Sequence, residues 1–184
     1  MRILGISGSL RRDSYNTKLL RSAEELLAGD ADFELFGALE SVPPYNEDRD
    51  GDDPPLGARI LRDAIAGADA LVIATPEYNG SIPGQLKNAV DWASRPVRAG
   101  ALWGKPVVVI GASTGAFGGV WAQADLRKAL GIAGARVVEA EVAVGKAREK
   151  FDDEGRLIDE EHAEQLRAAL DALVAESSAR VAAA

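Results

Sequence analysis

The sequence predicts an α/β protein, a doubly wound parallel sheet of five strands with helices on both faces. Three observations carry that expectation. Short apolar runs alternate with amphipathic stretches along the chain, the order that gives strand–helix–strand crossovers. The runs at Ala68–Thr75 and Pro106–Gly111 are apolar nearly throughout, as strands covered on both faces are. Polar loops rich in small residues follow strands one, three and four, and ligands of such sheets bind outside the carboxyl ends of the strands. No linker or internal repeat divides the 184 residues, so residues 1–184 are read as a single domain.

The elements follow in order. Ile3 to Ile6 is a short branched run expected to be a buried strand. It breaks into Ser7-Gly8-Ser9, and Asn16 to Ala28 then places Leu19, Leu20, Ala23, Leu26 and Leu27 on one helical face, closed by Gly29. Phe33 to Phe36 is the second strand. The segment from Val42 to Pro55 is a loop on composition, with Pro43, Pro44, Pro54 and Pro55 around an acidic centre. Asn46, Asp48, Asp50 and Gly51 imitate the opening of a calcium loop. Its last position would be Gly57 where a bidentate Glu is required, and this excludes calcium there.

Gly57 to Ala66 is a helix, followed by the third strand, Ala68 to Thr75. Pro83 to Ala93 is a helix with proline in its first turn, where a missing N–H costs nothing. The fourth strand, Pro106 to Gly111, leads through a glycine-rich loop into a helix from Val120 to Leu130. Arg136 to Ala143 is the expected fifth strand, Phe151 to Ile158 a turn, and Glu160 to Ala179 a closing helix.

Composition removes whole classes of function. The net charge of −8 argues against a general nucleic-acid or anionic-membrane surface, so any bound phosphate must be held by local donors. The absence of cysteine excludes disulfides, iron–sulfur clusters, a thiol nucleophile and thiolate metal sites. With the single histidine His162, a histidine-rich metal site is excluded too, and no metal is expected. No signal peptide and no membrane span are read from the sequence, and the expected location is the cytoplasm.

The three loops carry the chemistry. After strand one, Ser7, Ser9, Ser14, Asn16 and Thr17 offer hydroxyl or amide donors beside a helix start, and Arg11 adds a planar cationic fork. A helix N-terminus with such donors suits a phosphate. The loop lacks the Gly-Lys-Ser/Thr of a Walker motif and the three spaced glycines of the dinucleotide fingerprint. After strand three, Tyr78 sits in a polar loop with no core to fill, and Asn79-Gly80 is a tight-turn pair exposing backbone N–H groups. A flat heteroaromatic ring could lie there. After strand four, Gly111 to Gly119 allows close approach to backbone, with Ser113 and Thr114 as hydroxyl donors.

These motifs resemble one family. Gly8-Ser9-Leu10-Arg11 with Ser14 and Asn16 forms the first half; Pro76-Glu77-Tyr78-Asn79-Gly80-Ser81, Pro83-Gly84, Leu86-Lys87-Asn88-Ala89 and Asp91-Trp92 form the second. Together they are similar to the NADPH-dependent FMN reductases, the flavodoxin-like group that includes quinone, azo-dye and chromate reductases. The resemblance spans nearly the whole chain, and both motifs stand without departure. It implies a flavodoxin-like sheet in the order 2-1-3-4-5. It further implies that Ser9, Arg11, Ser14, Asn16 and Thr17 hold the FMN phosphate, that Pro76, Glu77, Tyr78, Asn79 and Gly80 flank the flavin ring, and that Ser113, Thr114 and Gly115 complete the site. A homodimer or homotetramer is implied as well. Trp92, Trp103 and Trp121 could serve such an interface, although core burial is the commoner fate of a helical Trp.

The expected activity is hydride transfer from NADPH or NADH through FMN to a second small-molecule acceptor, by a ping-pong sequence. The flavin supplies the chemistry and the protein the positions, so no residue is assigned as catalytic. Glu77 reads better as a backbone or ring contact, and His162 as solvated surface. The rival readings are a flavodoxin-type electron carrier that docks on proteins without using NAD(P)H, and a non-catalytic FMN or nucleotide sensor.

Overall fold

The computed structural model describes residues 1–183. Its strands are β1 (Arg2–Ser7), β2 (Asp32–Leu35), β3 (Ala70–Ala74), β4 (Pro106–Ala112), β5 (Arg136–Val137) and β6 (Ala143–Val144). Its helices are α1 (Tyr15–Leu26), α2 (Leu56–Gly67), α3 (Gly84–Ala93), α4 (Val120–Ile132) and α5 (Glu160–Ala183). The strands run parallel in the order β2-β1-β3-β4-β5, and β6 pairs with the end of β4.

Side chains alternate across this sheet as the pleat requires. Leu71, Ile73, Val107 and Val109 point to the layer that buries Leu61 of α2, Trp92 of α3 and Leu126 of α4. Val72, Ala74, Val108 and Ile110 point the other way, onto Leu19 and Leu20 of α1 and Leu166 and Leu170 of α5. Each such large side chain contributes about 1.5–3 kcal/mol by leaving water. Both faces are therefore covered, and all loops that follow strands gather at one edge.

The expected fifth strand, residues 136–143, is broken. β5 pairs with Pro106 and Val107, the chain leaves the ladder, and β6 rejoins it beside Gly111 and Ala112. The intervening Glu139 and Glu141 are exposed. Two α4 side chains take up the freed carbonyls. Arg127 Nη2 donates to the Ala140 carbonyl at 2.8 Å and the Val109 carbonyl at 3.3 Å. Gln123 Nε2, fully buried, donates to the Val142 and Gly118 carbonyls at 3.2 Å each. Burial lowers the pKa of Arg127, and the charge of Glu141 partly offsets this. The detour brings β6 under the glycine-rich loop.

Two further segments differ from, or add to, the sequence expectation. The proline-rich loop is stitched to α3: Asn88 Nδ2 and Trp92 Nε1 both donate to the Pro43 carbonyl at 2.8 Å, and Asn88 Oδ1 accepts from the Tyr45 N–H at 2.7 Å. Tyr45 meets Trp92 edge-on at 4.9 Å between ring centres. Trp92 is thus core, whereas Trp103 and Trp121 are about half exposed. His162 is not solvated surface. It is half-buried, and its Nδ1 lies 2.5 Å from Asp159 Oδ1. Asp159 also receives the Lys150 ammonium, and these two partners hold its carboxyl far below the usual range.

Candidate functional site

The three loops meet in one cleft of about 160 Å³ at the carboxyl edge of the sheet. Its floor is the start of α1. Ser14 is the N-cap, its Oγ accepting from the Asn16 N–H at 3.2 Å, so the helix opens with its positive end at the cleft. Ser9 and Arg11 line the same end. Among the described residues the exposed Arg11 guanidinium donates only to the Asp13 carbonyl, at 3.3 Å, which leaves most of its donors for a ligand. Gly8 allows this loop to sit tightly on the next. A Cβ there would lie 2.6 Å from Leu86 Cδ2 and 3.2 Å from Pro76 Cδ, and the Gly8 N–H bonds the Ala74 carbonyl at 2.8 Å.

Asn16 has a distinct place. Its Nδ2 donates to the Ala112 carbonyl and its Oδ1 accepts from the Ala112 N–H, both at 2.9 Å. A buried side-chain amide thereby extends β4 as another strand would, and ties α1 to the loop of Ser113 and Thr114. Both functional groups of Asn16 are spent on this brace. Thr17 points elsewhere, its hydroxyl donating to Ser7 Oγ at 2.9 Å, and it lines a neighbouring cavity rather than the cleft.

The opposite wall is Pro76, Glu77 and Tyr78. Asn79 and Gly80 have φ of +54° and +74°, and Tyr78 and Ser81 exchange backbone hydrogen bonds at 3.1 and 3.2 Å. This is the two-residue turn that Asn-Gly favours. Asn79 and Gly80 lie beyond the cleft lining and set the pose of Tyr78, which is 49% exposed. Glu77 is a structural clamp: its Oε2 accepts from the Trp121 and Ala122 N–H groups at 3.2 Å each, capping α4. Ser81 Oγ adds a second tie, donating to Asp125 Oδ2 at 2.6 Å.

The third wall is Ala112, Ser113 and Thr114. The Ser113 N–H bonds the Val144 carbonyl at 3.0 Å and its Oγ accepts from Gly115 N–H at 3.1 Å. Gly115 accepts from Lys146 N–H at 2.8 Å, behind the wall. Gly118, at φ +59°, is required because a Cβ would lie 2.3 Å from the Ala143 carbonyl carbon. Ala112 and Tyr15 also line the cleft, and neither was legible in advance, Ala112 because a small apolar strand residue carries no chemical signal. Tyr15 packs on Phe151 at 5.4 Å and lies under the Lys18 ammonium at 5.0 Å.

The donor set fits a flavin mononucleotide: anion donors at one end, an exposed aromatic at the other, and backbone between. At 160 Å³ the cleft falls short of the roughly 300–1,000 Å³ that encloses a drug-sized ligand, so it has room for one end of such a group rather than the whole of it. The sequence of residues 1–149 matches the family described as NADPH-dependent FMN reductase. The chain belongs to that family. Its reaction class is therefore oxidoreduction through FMN with a nicotinamide donor. It is 42% identical over 174 residues to an NAD(P)H-dependent FMN reductase of Pseudomonas aeruginosa, covering 94% of this chain and 93% of that one. It is 38% identical over 172 residues to a 2-hydroxy-1,4-benzoquinone reductase of Burkholderia sp., covering 93% of each. Among solved structures it is similar to FerB, a flavoenzyme NAD(P)H:(acceptor) oxidoreductase from Paracoccus denitrificans, at a TM-score of 0.86, 36% identity, and 96% and 97% coverage. The sheet order is the flavodoxin-like one. Among the described residues no helix is long and apolar enough to cross a membrane, and no cluster of His, Cys, Asp or Glu could hold a metal.

Proposed function

We propose that this chain, folded as one domain, carries hydride from NAD(P)H through FMN to a small acceptor, either a quinone or free flavin, with azo compounds and metal oxyanions also admitted. The observation that supports it most is the convergence of the Arg11, Tyr78 and Ser113 loops on one cleft. Ser9, Arg11 and Ser14 bind the phosphate, with the α1 N-terminus behind them. Asn16 and Thr17 hold that loop in shape from within. Pro76, Glu77 and Tyr78, posed by Asn79 and Gly80, flank the ring, and Ser113, Thr114 and Gly115 close the other side. The bound flavin supplies the electron relay between donor and acceptor. No side chain at the cleft is needed as acid or base for hydride transfer.

Donor and acceptor use the same open rim in turn, which gives ping-pong kinetics. The exposed Trp103 and the α4 stripe that includes Trp121 and Ile132 support a homodimer or a homotetramer, since these large apolar side chains are 48%, 52% and 79% exposed. A soluble, cytoplasmic protein follows from the same reading. The test is anaerobic mixing of FMN-loaded protein with NADPH. Bleaching of the flavin band supports the reductase. An unbleached flavin overturns it and leaves the electron carrier.

A further inference from the structure

We propose that a second cavity binds the 2′-phosphate that distinguishes NADPH from NADH; this rests on the reductase reading. The cavity, about 320 Å³, lies between the β1 loop, α1 and the segment after β2. Because β2 and β3 flank β1 on opposite sides, it sits across the β1 loop from the ring-binding wall. Arg12 and Arg21 line it together with Glu40, and Arg11 is shared with the flavin cleft, so the cavity is locally cationic in a chain whose net charge is −8.

The Arg12 and Arg21 guanidiniums have no hydrogen bond or ion pair among the described residues, and neither residue lines the flavin cleft. Phe36 and Leu39 supply apolar wall of the kind a purine ring covers. Paired guanidiniums match the planar donor geometry that a phosphomonoester accepts. The two cavities adjoin at Ser9 and Arg11, which places Arg12 and Arg21 beside the flavin cleft and within reach of the adenosine end of a dinucleotide lying over it.

The experiment titrates flavin-free and FMN-loaded protein with 2′,5′-ADP, 5′-AMP and inorganic phosphate, for wild type and the double variant Arg12→Gln/Arg21→Gln. The wild type binds 2′,5′-ADP at least about tenfold more tightly than 5′-AMP, as one charge-assisted pair provides. In the double variant the two nucleotides bind alike. Its kcat/KM for NADPH falls about tenfold while that for NADH and its FMN affinity stay unchanged. Equal binding of both nucleotides by the wild type overturns the proposal, as does inorganic phosphate matching 2′,5′-ADP, which marks a generic anion site. Parallel loss of NADH turnover also overturns it and reassigns the arginines to the flavin. Because nucleotide binding is read without flavin, and bleaching by NADH without Arg12 and Arg21, failure here is distinguishable from failure of the reductase reading.

Discussion

Replacing Glu77 with alanine removes both acceptor bonds to the Trp121 and Ala122 N–H groups. The two donors are at the surface or only partly buried, so water recovers much of the lost bonding. The cost is then that of a missing cap with its charge–dipole attraction, about 1–2 kcal/mol. For a chain of this size that is a fall of about 3–6 °C in Tm. The same change frees the Tyr78 turn from α4, leaving the Ser81–Asp125 bond as its tie, so FMN affinity falls several-fold as well. Glu77→Gln keeps one acceptor oxygen and loses the charge, and takes about half of each effect. Thermal unfolding of the flavin-free protein and quenching of FMN fluorescence read the two quantities separately. An alanine variant with unchanged Tm and unchanged affinity refutes the clamp. One that folds and binds normally but loses turnover makes Glu77 a catalytic group instead.

Other expectations follow from the same geometry. Arg11→Ala weakens FMN binding about 10–150-fold, the equivalent of 1.5–3 kcal/mol for a charge-assisted bond, measured by fluorescence titration. Asn16→Ala strands the buried N–H and carbonyl of Ala112 and costs about 2–4 kcal/mol in urea unfolding, more than any loop-surface change. Asp159 lies well below its ordinary carboxylate pKa because of Lys150 and His162. A depressed carboxylate stabilises the fold above its unfolded value, near 4, and that contribution drains away as pH falls further toward the folded one. Asp159→Asn is therefore less stable than wild type by about 1 kcal/mol at pH 7, after allowing for solvent screening, and the gap narrows below about pH 4. Ile132→Asp, on the exposed α4 stripe, lowers the molar mass measured by light scattering.

Much of this was legible in the chain because periodicity and turn chemistry are local. The apolar runs of β3 and β4 place their loops at one edge, and Asn79-Gly80 adopts the positive φ angles that the pair favours. What escaped was non-local. That the Asn16 amide completes β4, that Glu77 caps α4, and that Arg127 and Gln123 fill a gap in the edge strand depend on pairs 96, 44, 13 and 19 residues apart. The fifth strand misled for a related reason: Val137, Val138 and Val142 read as continuous, and the break between them is satisfied by Arg127 at the Ala140 carbonyl and Gln123 at the Val142 carbonyl. His162 looked solvated because its neighbours are acidic, yet one of them, Asp159, is its partner.

The central claim is that one cleft, floored by α1 and walled by Tyr78 and Ser113, holds the flavin. A crystal structure of the FMN-loaded protein tests it most directly. The expected result is phosphate oxygens within hydrogen-bond distance of Ser9, Arg11 and Ser14, and the ring along Pro76 to Tyr78. A flavin seated in the groove of about 680 Å³ beside Trp103 and Ile132, or with its phosphate on Arg12 and Arg21, would contradict it.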